Sequence, residues 1–123
     1  MYSERLLDHF QNPRNVGELP PPAVTVEVSN PACGDLLRLS AEVREGRVAK
    51  ACYKTRGCTA SIAAGSALTE WLIGKTAAEI ASLRPAHIEE SVGGLSNESK
   101  HAAMLCVDAA RALVEHLRRG DIR

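Results

Sequence analysis

The sequence predicts an α+β domain in which a three-stranded antiparallel sheet is packed on one face by helices. Two segments between residues 24 and 43 alternate apolar and polar side chains, the period of two that a half-buried strand requires. A third apolar segment follows after a two-residue turn signal, and consecutive strands with short connections pair as an antiparallel meander. Beyond Cys58 the larger apolar residues recur at helical spacing instead, and a run of strands followed by a run of helices is the mark of an α+β domain. At 123 residues the chain fits one domain, 1–123, with little room for a second.

Residues 2–10 read as a short helix, with Leu6, Leu7 and Phe10 as its apolar stripe, Ser3 as its cap and Asn12-Pro13 as its stop. Three prolines at 20–22 mark an extended connector. Val24, Val26 and Val28 alternate with Thr25 and Glu27 in the first strand, and Leu37, Leu39, Ala41 and Val43 form the apolar side of the second. Glu45-Gly46 is the turn, and Arg47–Thr55 returns as the third strand. Residues 59–73 form a helix rich in Ala, Ser and Gly that Gly74 ends. Thr76-Ala77-Ala78-Glu79 is a capping box opening a short helix through Leu83, which Arg84-Pro85 breaks before a brief helical segment at 86–90. Gly93-Gly94 is a joint. The last helix runs from about Ser96 to Arg119, with Cys106, Leu113 and Leu117 at core spacing.

Aromatic residues make up only 3% of the chain, so the 45% that is hydrophobic must pack closely on Ala, Leu, Val and Ile. Fifteen basic residues cancel fifteen acidic ones, so no nucleic-acid-binding face is expected. No apolar run reaches the roughly 18 residues of a membrane span. Met1-Tyr2-Ser3-Glu4-Arg5 lacks the apolar core of an export signal, and a soluble, cytoplasmic protein is expected. In that setting four cysteines read as reduced thiols, which directs attention to metal and sulfur chemistry.

Three features stand outside the packing pattern. Pro31-Ala32-Cys33-Gly34-Asp35 separates the first two strands, which places Cys33 and Asp35 on a loop. Gly57-Cys58 stands where the third strand gives way to a helix, and there the helix dipole and free amides stabilise a thiolate. His101 lies in the first turns of the last helix. Two thiolates, an imidazole and a carboxylate would hold zinc or iron less permanently than four thiolates. Spacing alone leaves a second reading open, in which both cysteines are small buried hydrophobes and His101 is a surface residue.

The residues themselves go further. Tyr2-Ser3-Glu4, Asp8-His9-Phe10, Asn12-Pro13-Arg14-Asn15-Val16-Gly17, Pro31-Ala32-Cys33-Gly34-Asp35, Lys54-Thr55-Arg56-Gly57-Cys58, Thr69-Glu70-Trp71 and Gly74-Lys75 resemble, in order, the segments of U-type iron–sulfur cluster assembly scaffolds (the IscU and NifU N-terminal type). That resemblance implies a protein that receives sulfur from a cysteine desulfurase, binds iron or a [2Fe–2S] cluster, and passes it to apo iron–sulfur proteins. It implies Cys33 and Cys58 as ligands, Asp35 as the carboxylate that keeps the cluster labile, and His101 as the family's histidine, with zinc an alternative occupant of the same site. No Ser–His–Asp set, phosphate loop or paired acid–base carboxylates stands out in the sequence, so no turnover chemistry is expected. Three or four donors per chain leave room for a partner's thiolate, so a monomer or homodimer is expected. The family's third cysteine, directly after the histidine, is Ala102 here. Cys106 is the nearest replacement, but five residues of helix turn it about 140° from His101, onto the core stripe. Cys52, within the third strand, reads as packing. The alternative function is therefore a zinc-bound sulfur acceptor or regulatory partner of the desulfurase. Leu95-Ser96-Asn97-Glu98-Ser99 replaces the family's Leu-Pro-Pro-Val-Lys motif, so no Hsp70-type chaperone partner is expected. The long insertion of SufU-type proteins is not evident.

Overall fold

The computed structural model describes residues 2–31 and 34–120. Its sheet has strand order β1-β2-β3, built from β1 (Val24–Asn30), β2 (Asp35–Arg44) and β3 (Arg47–Arg56), antiparallel throughout. Val26 lies opposite Leu39 and Leu39 opposite Tyr53. The alternation therefore puts Val24, Val26, Val28, Leu37, Leu39, Ala41, Ala51 and Tyr53 on one face, and all of them join the core. The other face carries Thr25, Glu27, Arg38, Ser40, Lys50, Cys52 and Lys54, with Arg38 paired to Glu18 and Glu27. Glu45 and Gly46, both at positive φ, make the β2–β3 turn, and a register shift at Glu42/Val43 precedes it.

The helices α1 (Glu4–Gln11), α2 (Thr59–Leu72), α3 (Ala77–Ala81), α4 (Pro85–Ser91) and α5 (Lys100–Gly120) follow the expected order. Ser3 caps α1 as the sequence suggests, and Thr76 and Glu79 form the capping box of α3. Three boundaries differ. The third helix stops at Ala81. Pro85 opens α4 as well as ending what precedes it, because a first-turn proline sacrifices no helical hydrogen bond. Asn97–Ser99 forms a single 3-10 turn, so α5 begins at Lys100 and His101 is its second residue.

The central element is α2. Ala60, Ala63, Ala64, Gly65, Ser66, Ala67, Leu68 and Leu72 are all buried, so it is enclosed nearly all round by β3, α1, α4 and α5. Small residues allow that enclosure. A Cβ on Gly65 would lie 2.5 Å from the Tyr53 ring, whose hydroxyl donates to the Ile62 carbonyl at 2.8 Å. The outer edge of β3 is covered as well: Tyr53 N–H donates to Asn15 and Gly17 N–H to Tyr53, while Val48 exchanges hydrogen bonds with Gly74 and Lys75. No helix among the described residues is long and apolar enough to cross a membrane.

Candidate metal centre

Asp35 is the first residue of β2, paired with Asn30, rather than a loop residue as its sequence context suggested. The reason is register. The β1–β2 ladder runs one pair further than the valine alternation shows, because backbone pairing does not require an apolar side chain. Asp35 therefore shares the parity of Leu37 and Leu39, and its carboxylate turns toward the helices, where it is 5% exposed. Gly57 makes room for it: a Cβ there would lie 2.7 Å from the Asp35 carboxyl carbon.

Cys58 is the N-cap residue of α2 and is exposed just beyond the end of β3. His101 enters from the first turn of α5. Its Nε2 lies 3.2 Å from Asp35 Oδ2 and 3.7 Å from Cys58 Sγ, and the sulfur is 4.0 Å from Asp35 Oδ2. Donors around one tetrahedral zinc or iron ion stand about 3.3–3.8 Å apart, given bond lengths of about 2.0–2.3 Å. The three donor atoms lie within 4.8 Å of one another, so they fit a single soft metal ion with only small side-chain adjustment. They come from positions 43 and 66 residues apart.

The surroundings shift both titratable donors. Burial alone would raise the Cys58 pKa, but the Ser61 hydroxyl and amide and the His101 ring, all facing the sulfur, outweigh burial and the nearby Asp35, and its pKa falls. Burial likewise opposes a charged His101. The Cys58 sulfur, the Asp35 carboxylate and a hydrogen bond to the Glu98 backbone more than offset it, and its pKa rises. The two shifts run in opposite senses because each group favours a charge on the other. The Glu98 contact also orients the ring, as a second partner does for metal-bound histidines.

Of the four residues singled out in the sequence, Asp35, Cys58 and His101 come together, and Cys33 lies outside the described residues. Cys106 is 1% exposed in the core, where burial pushes its thiol up to about 12, so it is not a substitute ligand. Cys52 stands opposite Ser40 on the helix-free face of the sheet. Sequence reasoning missed Ser61, whose hydroxyl donates to Asp35 and lies 3.5 Å from Cys58. The signal was present, since Ser61 stands three residues after the N-cap, where a side chain faces back to the cap.

The family described as NifU-like N terminal domain matches residues 1–121. The chain is 39% identical over 120 residues to the iron–sulfur cluster assembly scaffold protein IscU 1 of Archaeoglobus fulgidus, covering 97% of this chain and 78% of that protein. It is 40% identical over 117 residues to the scaffold protein IscU of Azotobacter vinelandii, covering 92% and 91%. Among solved structures it resembles the N-terminal NifU-like protein of Brucella abortus, with a TM-score of 0.62 and 22% identity over 93% of this chain and 81% of that one. A putative cluster assembly scaffold for the SUF system of Fervidobacterium islandicum gives a TM-score of 0.62 at 17% identity, covering 93% of each chain, a likeness of fold. With a sheet of this topology, helices on one face and matching sequence over almost its whole length, the chain belongs to the NifU-like N-terminal domain family.

Proposed function

We propose that this protein is an iron–sulfur cluster assembly scaffold that receives sulfur from a cysteine desulfurase, holds iron or a [2Fe–2S] cluster, and delivers it to apo-proteins. The observation that carries the reading is the convergence of the Asp35 carboxylate, the Cys58 thiol and the His101 imidazole within 4.8 Å. Its relatives named as scaffold proteins support it. Cys33, two residues before Asp35, is the second thiolate of the proposed set. The iron or cluster is cargo, so the site must bind and also release. Ser61 and His101 lower the Cys58 pKa, which eases loss of its proton to a metal, and His101 would ligate as the neutral imidazole. Asp35, an oxygen donor among softer ligands, is the weak member through which release begins.

The test is to purify the protein without oxygen and measure iron, zinc and acid-labile sulfide in one sample. Iron with comparable sulfide is expected, with Cys33→Ser and Cys58→Ser each losing both and Asp35→Ala surrendering its cluster to a chelator more slowly. Unchanged retention in both cysteine variants would sink the reading. A second reading is motivated by Ala102, which leaves no thiol beside His101. In it the protein holds zinc at these ligands and accepts persulfide sulfur from the desulfurase without building a cluster. Zinc without sulfide, and persulfide trapped on Cys33 or Cys58, would favour that second reading.

A further inference from the structure

We propose that Met104 supplies a thioether sulfur to the cluster in place of the thiolate that Ala102 cannot offer. This inference rests on the scaffold reading. Four sulfur-bearing side chains fall among the described residues: Cys52, Cys58, Met104 and Cys106. Cys52 is on the far face of the sheet and Cys106 is sealed in the core. Met104 is different. It is 45% exposed, although methionine is ordinarily a buried residue, and it does not belong to the core cluster.

Its place on the helix is the second argument. Three residues of α5 bring Met104 to within about 60° of His101, whereas Cys106 is about 140° away. Helical side chains lean toward the N-terminus, so Met104 reaches back over the turn that holds His101. Both residues line one cavity of about 210 Å³, together with Asn30 and Pro31 at the end of β1 and Asp108 of α5. Asp35 is the strand partner of Asn30, so this cavity adjoins the Asp35, Cys58 and His101 donors. Three rotatable bonds let the thioether adjust its reach. Thioether sulfur suits the soft metals that thiolates bind, but as a neutral donor it holds them less firmly. A thioether ligand therefore completes the set while keeping the cargo transferable.

The chain has two methionines, Met1 and Met104, which makes selenium a clean probe. Selenomethionine-labelled protein is reconstituted without oxygen from ferric iron and sulfide, and X-ray absorption is read at the selenium edge. Iron in the first shell of selenium is expected, vanishing in Met104→Leu, which keeps the apolar volume and retains only Met1. Under chelator challenge Met104→Leu should lose its cluster about tenfold faster than wild type, the order of effect known for residues supporting a metal site. Met104→Cys should lose it more slowly. Absence of iron around selenium, with Met104→Leu releasing its cluster at the wild-type rate while Cys58→Ser holds none, overturns the thioether ligand and leaves the scaffold intact. If Cys58→Ser retains the cluster, the scaffold reading fails and this one with it.

Discussion

At the scale of single residues, the chemistry turns on Ser61 as much as on the ligands. Its hydroxyl donates to Asp35 and its hydroxyl and amide face Cys58, so one side chain links a carboxylate on a strand to a thiol on a helix cap. Ser61→Ala removes the hydroxyl and leaves the amide. In metal-free protein the Cys58 thiol should then titrate at higher pH, followed by ultraviolet thiolate absorbance, with urea stability reduced by about 1 kcal/mol for the lost buried hydrogen bond. An unshifted thiolate titration would show that His101 and the helix terminus suffice. Ser61 was legible only once Cys58 had been recognised as a cap, because a serine in an Ala/Ser-rich helix carries no signal of its own.

At the scale of elements, α2 explains the small residues of the chain. It is buried on nearly every side, and its backbone approaches Tyr53 at Gly65 more closely than any side chain permits. Gly65→Ala gains about 1 kcal/mol of helix propensity but overpacks the Tyr53 ring, a cost of about 1–3 kcal/mol. Net destabilisation is therefore expected, read as a lower urea midpoint with an unchanged slope. Equal or greater stability would mean that the ring moves aside freely. Periodicity located this helix almost to the residue, yet its composition did not say which neighbour each alanine and glycine meets. The start of α5 was harder still. Ser96 has the dihedral angles of a cap, but the turn it opens is 3-10 before the α-helix takes over at Lys100.

At the scale of the whole molecule, the N-terminal segment is fastened to α2 by polar contacts set within an apolar interface. Leu6 is fully buried, Ser66 Oγ lies 2.8 Å from His9 Nδ1 and accepts from the Arg14 amide, and Asn15 donates to Thr69. Burial, reinforced by Arg14 and opposed by Glu70 and Asp8, lowers the pKa of His9 below its ordinary 6.5. Above that value both the folded and unfolded chains hold a neutral imidazole. As pH falls through it the unfolded chain takes the proton first, so stability declines until the folded pKa is passed. His101 acts in the opposite sense: its raised pKa adds stability below 6.5 that is lost as pH rises through the folded value. Comparing wild type with His9→Gln isolates the first effect. From about pH 7 to about pH 5 the wild type should lose more stability than the variant, in urea titrations of metal-free protein. Parallel pH profiles would rule His9 out as the acid-sensitive contact.

Local patterns in the sequence determined the strands, the order of the helices, the caps at Ser3 and Thr76 and the position of Cys58 at a helix entrance. Each depends on side chains within one or two turns, and hydrophobic period and capping chemistry are properties of that range. The family segments likewise marked Asp35 and His101 by kind and order. Tertiary structure decided the rest. Pairing of Asn30 with Asp35 turned the carboxylate inward, and Gly57 gave it space. Docking of α5 across the sheet brought His101 to a thiol 43 residues away, put Cys106 in the core and left Met104 at a cavity beside the site. Such contacts are fixed by how large apolar faces close over one another, and no spacing within a single element records that closure.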